Sequence, residues 1–249
     1  MKYFVSSDIH GFYKEWQKAL RNKGYDKNNP NHCIVLCGDV LDRGRQPKQI
    51  INYILRNKEK IILVRGNHED LMQEMINRNE AYWHDLSNGT ARTIVDLCPE
   101  WEVTRFDLKE IAKETRLQEV LDSFVDYFET DHYVFVHGWI PTKGSEQKYD
   151  KNWRNAGKER WEAARWANPV EMYKNRIFAP NKTIVCGHWH CSSFWHEEDP
   201  IRYKEYGEGA NYKPYIKTEV MAIDACTALS GKVNCVVIED TKCKDNNKQ

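Results

Sequence analysis

The sequence predicts an α/β fold in which helices cover both faces of a largely parallel sheet. Two observations carry that expectation. Short Val- and Ile-rich runs recur along the chain, each stopped by a turn that contains Gly, and segments with helical spacing separate them. A chain of 249 residues with 41 % hydrophobic and 12 % aromatic side chains can bury the core such a fold needs.

The predicted strands are Lys2 to Ser7, Cys33 to Cys37, Ile61 to Arg65, Tyr133 to Val136 and Thr183 to Cys186. Runs this short and this rich in β-branched residues read as buried strands. Between them Phe12, Trp16 and Leu20 share one helix face, as do Ile50, Ile51, Ile54 and Leu55 after Pro47, and Leu71, Met72, Met75 and Ile76 after Asn67. The spacing of Leu108, Ile111, Leu117, Val120, Leu121, Phe124, Val125 and Phe128 predicts one long amphipathic helix. Trp153 to Trp166 reads as another, with its tryptophans in the core. Val220 to Ile223 and Val233 to Ile238, flanking Leu229-Ser230-Gly231-Lys232, read as a hairpin. Residues 1–241 are expected to form a single domain and the polar stretch 242–249 a frayed tail.

Lys+Arg and Asp+Glu both number 37, so the formal net charge is 0 with neutral His. That disfavours nucleic acid as a partner, because duplex binding draws on bulk positive charge. No apolar run approaches the roughly 18 residues of a membrane span, and the N-terminus turns polar at Ser6, too early for a secretory signal. A cytoplasmic protein with no membrane partner is the expectation. The eight cysteines include no Cys-x-x-Cys pair and suit reduced thiols; Cys33, Cys186 and Cys235 read as small buried hydrophobes.

Each predicted strand ends in side chains able to bind a metal: Asp8 and His10, then Asp39, Asn67, His137, and finally His188 and His190. Open α/β sheets build their sites at such C-terminal strand ends. A mixture of carboxylate, amide oxygen and imidazole suits Mn²⁺, Fe or Zn²⁺ better than Mg²⁺, which prefers oxygen and keeps its waters. The set exceeds what one cation needs. Two cations about 3.5–4 Å apart form an arrangement used for in-line attack on phosphorus.

Ser7-Asp8-Ile9-His10-Gly11, Gly38-Asp39-Val40-Leu41-Asp42-Arg43-Gly44, Gly66-Asn67-His68-Glu69, His137-Gly138 and Gly187-His188 resemble, in order, the motifs of the calcineurin-like metallophosphoesterase superfamily. The Asp-Arg-Gly ending of the second motif and Arg65 before the third resemble more narrowly the phosphoprotein (serine/threonine) phosphatases, bacterial and phage-type members above all. Ile223-Asp224-Ala225-Cys226 is similar to their late Ile-Asp-Thr-Gly segment. The resemblance implies a β-sandwich of two sheets flanked by helices, with a dinuclear metal site at strand C-terminal ends. It implies that Asp8, His10 and Asp39 hold one divalent ion and Asp39, Asn67, His137 and His188 the other, with Mn²⁺ first and Fe or Zn²⁺ as alternatives. A hydroxide bridging the two would attack phosphoserine or phosphothreonine in line, making the chain a protein serine/threonine phosphatase.

The same resemblance makes His68 the general acid, oriented by Asp42, and Arg43 and Arg65 the phosphate clamps. Arg165 is the candidate third clamp, in competition with Arg154, Arg160 and Arg176. Gly187-His188-Trp189-His190 departs from the Gly-His-Thr usual in that branch and matches a Gly-His-x-His ending of the wider superfamily, so His190 is expected to join the first ion. Plainer roles stay open: Asp42 as a helix cap, Arg43 as a surface charge, Arg65 as the partner of an acid, and Glu69 as a helix starter. His32, His84, His132 and His196 lack the strand-end context and read as structural.

A second reading keeps the fold and exchanges the phosphorylated protein for a small phosphoester such as a dinucleoside tetraphosphate, since similar motifs occur in the symmetrical diadenosine tetraphosphate hydrolases. The aromatic interval Cys191 to Thr218 offers rings to stack a base, or is a packed surface excursion. Cys37 to Arg43 has the Cys-x5-Arg spacing of thiol phosphatases, but Asp39 and Asp42 would repel the phosphate dianion. An aspartyl phosphatase of the haloacid type would need Asp where His10 stands. A silent scaffold would have no reason to keep Asp42, His68 and both arginines.

Overall fold

The computed structural model describes residues 1–98, 107–144 and 147–241, and the expected tail 242–249 lies outside the described residues. In chain order the strands are β1 (Lys2–Ser6), β2 (His32–Cys37), β3 (Ile61–Val64), β4 (Phe128–Glu129), β5 (Tyr133–Phe135), β6 (Thr142–Lys143), β7 (Lys148–Tyr149), β8 (Thr183–Cys186), β9 (Tyr215–Ile216), β10 (Val220–Ala222) and β11 (Val236–Glu239). The helices are α1 (Tyr13–Asn22), α2 (Pro47–Arg56), α3 (Asn67–Arg78), α4 (Trp83–Asn88), α5 (Thr90–Leu97), α6 (Leu108–Glu114), α7 (Leu117–Leu121), α8 (Lys158–Arg165), α9 (Pro169–Lys174), α10 (Cys191–Glu198) and α11 (Thr227–Ser230). One mixed sheet has the order β11-β1-β2-β3 and the other β4-β5-β8-β10-β9; β6 and β7 form a small separate pair. Within them β1, β2 and β3 run parallel, and so do β5, β8 and β10.

Side-chain alternation along the strands builds the layers. Along β2, Cys33, Val35 and Cys37 pack between the sheets against Phe128, Phe135, Val185 and Met221. Ile34 and Leu36 point the other way, into a core made with Trp16, Ile50, Ile54 and Met72 from the helices. In the second sheet Val134, Ile184 and Cys186 face Trp153, Trp161, Val170 and Phe194. The result is two sheets face to face with helices on both outer faces, the two-sheet arrangement expected of a metallophosphoesterase. The central strands β1, β2, β5, β8 and β10 are buried on both sides, which is why they are nearly continuously apolar, whereas β11 at an edge alternates buried and exposed residues. Cys33, Cys186 and Cys235 are buried, as expected of small hydrophobes, and none is disulfide-bonded.

Three expected elements differ. The long helix from Leu108 is two short ones, α6 and α7, broken where Arg116 takes φ +60°, and its last expected residue, Phe128, belongs to β4. Periodicity alone cannot register a left-handed residue that turns the chain. The expected hairpin is not a hairpin: β10 pairs with β8 and β9, whereas β11 pairs with β1 of the other sheet, so the segment between them crosses from sheet to sheet. The Trp153 segment is a single 3-10 turn, Trp153–Asn155, followed by α8, and Trp166 at its end is exposed rather than in the core.

The close approach of the two sheets at their strand ends depends on small residues. Gly38 sits at φ +80°, and a Cβ there would overlap the His137 ring and come within 2.7 Å of Gly66 Cα. Gly38→Ala should therefore destabilise the fold by about 2 kcal/mol or more, read as a lower denaturation midpoint at unchanged slope.

Candidate metal centre

The turns that follow β1 and β2 are knitted together by main-chain bonds. Asp8 N–H donates to Gly38 O (3.1 Å), His10 N–H to Asp39 O (2.9 Å), and Gly44 N–H to His10 O (2.7 Å). In the other sheet Gly187 N–H donates to His137 O (2.8 Å) and Cys191 N–H to Asp224 O (2.8 Å). Two bonds join the sheets at this end: His188 N–H to Asp8 Oδ2 (3.1 Å) and His137 Nδ1 to Cys37 O (2.9 Å). Glu69, in the first turn of α3, accepts from the N–H groups of Asp39, Val40 and Gly66 at 2.8–2.9 Å. Its carboxylate thus pins the turn after β2 to the start of α3, a larger role than starting the helix.

Backbone strain collects in the same place. Asp8, His10, Asp39, Arg43, His188 and Cys226 all adopt φ between +44° and +71°. These conformations cost L-residues about 1 kcal/mol or more each and persist where the surroundings over-determine them. All six line one cavity of 140 Å³, together with Asn67, His68, Asn88, Trp166, His190, Asp224 and Thr227.

Asp39 is buried at its centre. Its Oδ1 lies 3.3 Å from His137 Nε2 and accepts from His68 N–H (3.1 Å), while Oδ2 lies 3.7 Å from His10 Nε2 and 3.8 Å from His68 Nε2. Burial alone would raise its pKa; the surrounding rings of His137, His68, His10 and His188 outweigh it and hold the carboxyl well below the usual range. Burial keeps His10 neutral and, with His137 nearby, lowers His188 to about 3, so both rings can offer lone pairs. Burial also pushes Asp8 up to about 6, with Asp39's charge adding to it.

The donor set passes a simple test of fit for cations. His137 donates Nδ1–H to the Cys37 carbonyl, and its Nε2 faces Asn67 Oδ1 (2.8 Å) and Asp39 Oδ1 (3.3 Å); burial opposes charge on this ring, but the carboxylates of Asp39 and Asp8 raise its pKa, so Nε2 is a place where a proton or a metal ion is favoured. Three acceptors converging in a buried site repel one another unless a positive charge stands among them. Ligands about 2.0–2.2 Å from one ion are separated by about 3–3.6 Å, a spacing that His137 Nε2 to Asp39 Oδ1 (3.3 Å) meets and that to Asn67 Oδ1 (2.8 Å) falls just under. Two groups of donors converge on the Asp39 carboxylate, one with His137 and His188 and one with His10 and His68, and either could hold a metal. The Nδ1 atoms of His10 and His190 are buried without a hydrogen-bond partner.

His68 is set apart by its own partners. Nδ1 is 2.8 Å from Asp42 Oδ2, and Nε2 is 3.1 Å from the Arg43 guanidinium, a neighbour that disfavours a cation on that nitrogen. Asp42 is in turn fixed by the hydroxyls of Thr90 (2.7 Å) and Thr93 (2.8 Å), which donate from the start of α5. Burial opposes charge on His68, yet Asp39 and the bond to Asp42 raise its pKa to about 9. The Arg43 contact suits the neutral ring, and Arg43 itself is exposed.

Asp8, His10, Asp39, Asn67, His188, His190, His68 and Arg43 therefore meet at one cavity, with His137 and Asp42 directly behind them. Two expected phosphate clamps do not. Arg65 pairs with Asp70 (3.6 Å) and donates to Leu121 O (2.5 Å), and Arg165, 3 % exposed, bonds Asp70 (2.5 Å) and Asp126 (2.8 Å). Both guanidiniums are consumed by carboxylates and by the carbonyl, outside the cavity. Arg154 and Arg160 are likewise paired, with Glu129 and Asp150. Thr90, Thr93 and Trp166 were not expected. The i, i+3 spacing of the two threonines was a visible signal, but nothing in the sequence said which carboxylate they face.

The His and Asp groups around Asp39 make this cavity a candidate metal site. The profile of the calcineurin-like phosphoesterase family matches residues 1–192, and the chain belongs to that family. Family members work with divalent metal ions, in keeping with the His and Asp groups around Asp39. The chain is 28 % identical over 139 residues to the asymmetrical bis(5'-nucleosyl)-tetraphosphatase PrpE of Bacillus subtilis, covering 52 % of this chain and 50 % of that one. It is 33 % identical over 67 residues to the symmetrical bis(5'-nucleosyl)-tetraphosphatase of Buchnera aphidicola, covering 27 % and 23 %. The match thus spans half or less of these relatives. Among solved structures, the cold-active protein-tyrosine phosphatase of a psychrophilic Shewanella superposes with a TM-score of 0.55 at 16 % identity, over 96 % of this chain and 75 % of that one, a likeness of fold. No helix among the described residues is long and apolar enough to cross a membrane.

Two outcomes follow from the geometry. Arg165→Met should lower stability by about 2 kcal/mol, because it leaves the mostly buried Asp70 with only the more distant Arg65, and chemical denaturation will measure it. In metal-free protein the His68 ring should titrate near 9 by NMR, and Asp42→Asn should bring it toward 6.5. The sign for stability follows: the charged ring's contribution is complete below about 6.5 and is lost as pH rises through about 9.

Proposed function

We propose that the chain is a metal-dependent hydrolase of small phosphoesters, acting on dinucleoside polyphosphates. The observation that carries the chemistry is the convergence of two donor groups on one buried carboxylate, Asp39, beside a separately held His68–Asp42 pair. Asp8, His10, Asp39 and His190 would hold one ion and Asp39, Asn67, His137 and His188 the other. When bound, such ions supply Lewis-acid polarisation of the phosphoryl group and ready ionisation of water at neutral pH.

The chain's own residues supply the rest. Arg43, at the cavity wall, binds the phosphoryl oxygens through its planar fork. As the oxygen of a water molecule bonds to phosphorus, losing a proton to solvent, and the P–O bond to the leaving group breaks, His68 gives its proton to the leaving oxygen, and Asp42, fixed by Thr90 and Thr93, keeps the ring pointed at that oxygen. The relatives named above, which act on bis(5'-nucleosyl) tetraphosphates, support the substrate class over a phosphorylated protein. The phosphoserine and phosphothreonine reading retains one point in its favour, the Asp42-Arg43-Gly44 motif.

The test is a substrate panel with Mn²⁺ present. Turnover of diadenosine tetraphosphate should exceed that of a phosphoserine peptide, and the reverse order would return the chain to the protein phosphatases. Chelation of metal should abolish activity and Mn²⁺ restore it. Asp39→Asn and His68→Asn should each lower kcat at least about 10²-fold; near-native turnover in both would sink the assignment.

A further inference from the structure

We propose that the indole of Trp166 is a platform on which a nucleobase of the substrate stacks, so that the cavity and its rim form a nucleotide site; this rests on the dinucleoside polyphosphate reading. The cavity measures 140 Å³, well below the roughly 300 Å³ at which sites for drug-sized ligands begin. A phosphoryl group and its cations fill that space. The nucleoside must then lie outside, over the rim.

Two large aromatic side chains are exposed there. Trp166 lines the cavity and is 52 % exposed, its ring perpendicular (88°) to that of His188 with centroids 5.9 Å apart. Tyr206 is 53 % exposed, perpendicular (83°) to His190 at 5.4 Å. Perpendicular packing engages only part of each ring and leaves the rest in water. The main chain under Trp166 is held firmly, since its N–H closes α8 onto Ala163 O (3.2 Å) and a backbone hydrogen bond links it to His188. The other two tryptophans of the same stretch, Trp153 and Trp161, are buried against Tyr127. Trp166 alone of the three is turned to the site and left uncovered. A flat, polarisable purine covers such a ring without any hydrogen-bond match, and base stacking on aromatic side chains is strong enough to set affinity.

The test compares probes with and without a base. By calorimetry on the metal-loaded full chain, Trp166→Ala should weaken ADP binding at least about fivefold more than binding of inorganic pyrophosphate. Trp166→Phe, which keeps a stacking ring, should recover most of that difference. In turnover, KM for diadenosine tetraphosphate should rise relative to KM for inorganic tripolyphosphate by a similar ratio. Equal losses on both probes, or none, would overturn the platform while leaving the hydrolase reading intact. Base-dependent binding through Trp166 in a wild-type chain that turns over no dinucleoside polyphosphate would do the opposite.

Discussion

One buried carboxylate governs this molecule. Asp39 comes from the first sheet, yet its nearest partners include His137 from the second, so its burial is possible only when the sheets close face to face. Removing a carboxylate from water costs several kcal/mol, and the cost falls only if opposite charge or donors surround it. Here the rings of His137, His68 and His10 and the His68 N–H do so. Glu69 reinforces the arrangement from below, by accepting three main-chain N–H groups drawn from both sides of the cavity floor.

The same constraint accounts for the strain. A strand that must end abruptly and present a side chain sideways, toward the neighbouring sheet, needs a left-handed residue within two positions of its end. Asp8, Asp39 and His188 each follow a strand and each adopt positive φ. In most turns glycine would fill such positions, but glycine has no ligand to offer. The fold therefore carries the conformational penalty at residues whose side chains are needed, and Gly38 and Gly187 next to them provide the clearance.

Much of this was legible in the sequence because it is local. Strand lengths, the helices after Phe12, Pro47 and Asn67, and the bias of strand ends toward Asp, Asn and His all follow from patterns within about ten residues. What was not legible depends on partners distant along the chain. Arg165 lies 95 positions from Asp70, and only the folded structure shows that it turns there; Arg65 has Asp70 close by in the chain, as its open role beside an acid allowed, but its other anchor, the Leu121 carbonyl, is 56 positions away. The same holds for Thr90 and Thr93 behind Asp42, and for β11, which leaves β10 to join β1. Trp166 sits in a stretch whose other tryptophans are core, and it falls just past the end of α8, whose buried residues are Trp161, Ala164 and Arg165.

The loss of two expected clamps bears on the substrate. Among the described residues Arg43 is the one arginine lining the cavity, against the carboxylates of Asp8, Asp39 and Asp224. Burial raises the pKa of Asp8 and of Asp224, the charge of Asp39 adding to the first and those of Asp8 and Asp39 to the second, so negative charge is unfavourable in this pocket. A phosphate would be repelled by it, and divalent cations invert that sign. Metal ions would then do most of the holding, and a lone exposed Arg43 leaves the phosphoryl group open on its outer side. A cage of several guanidiniums suits a terminal phosphate dianion with one substituent. A phosphoryl group in the middle of a polyphosphate chain, the substrate class proposed above, has substituents on two sides and would use that open side.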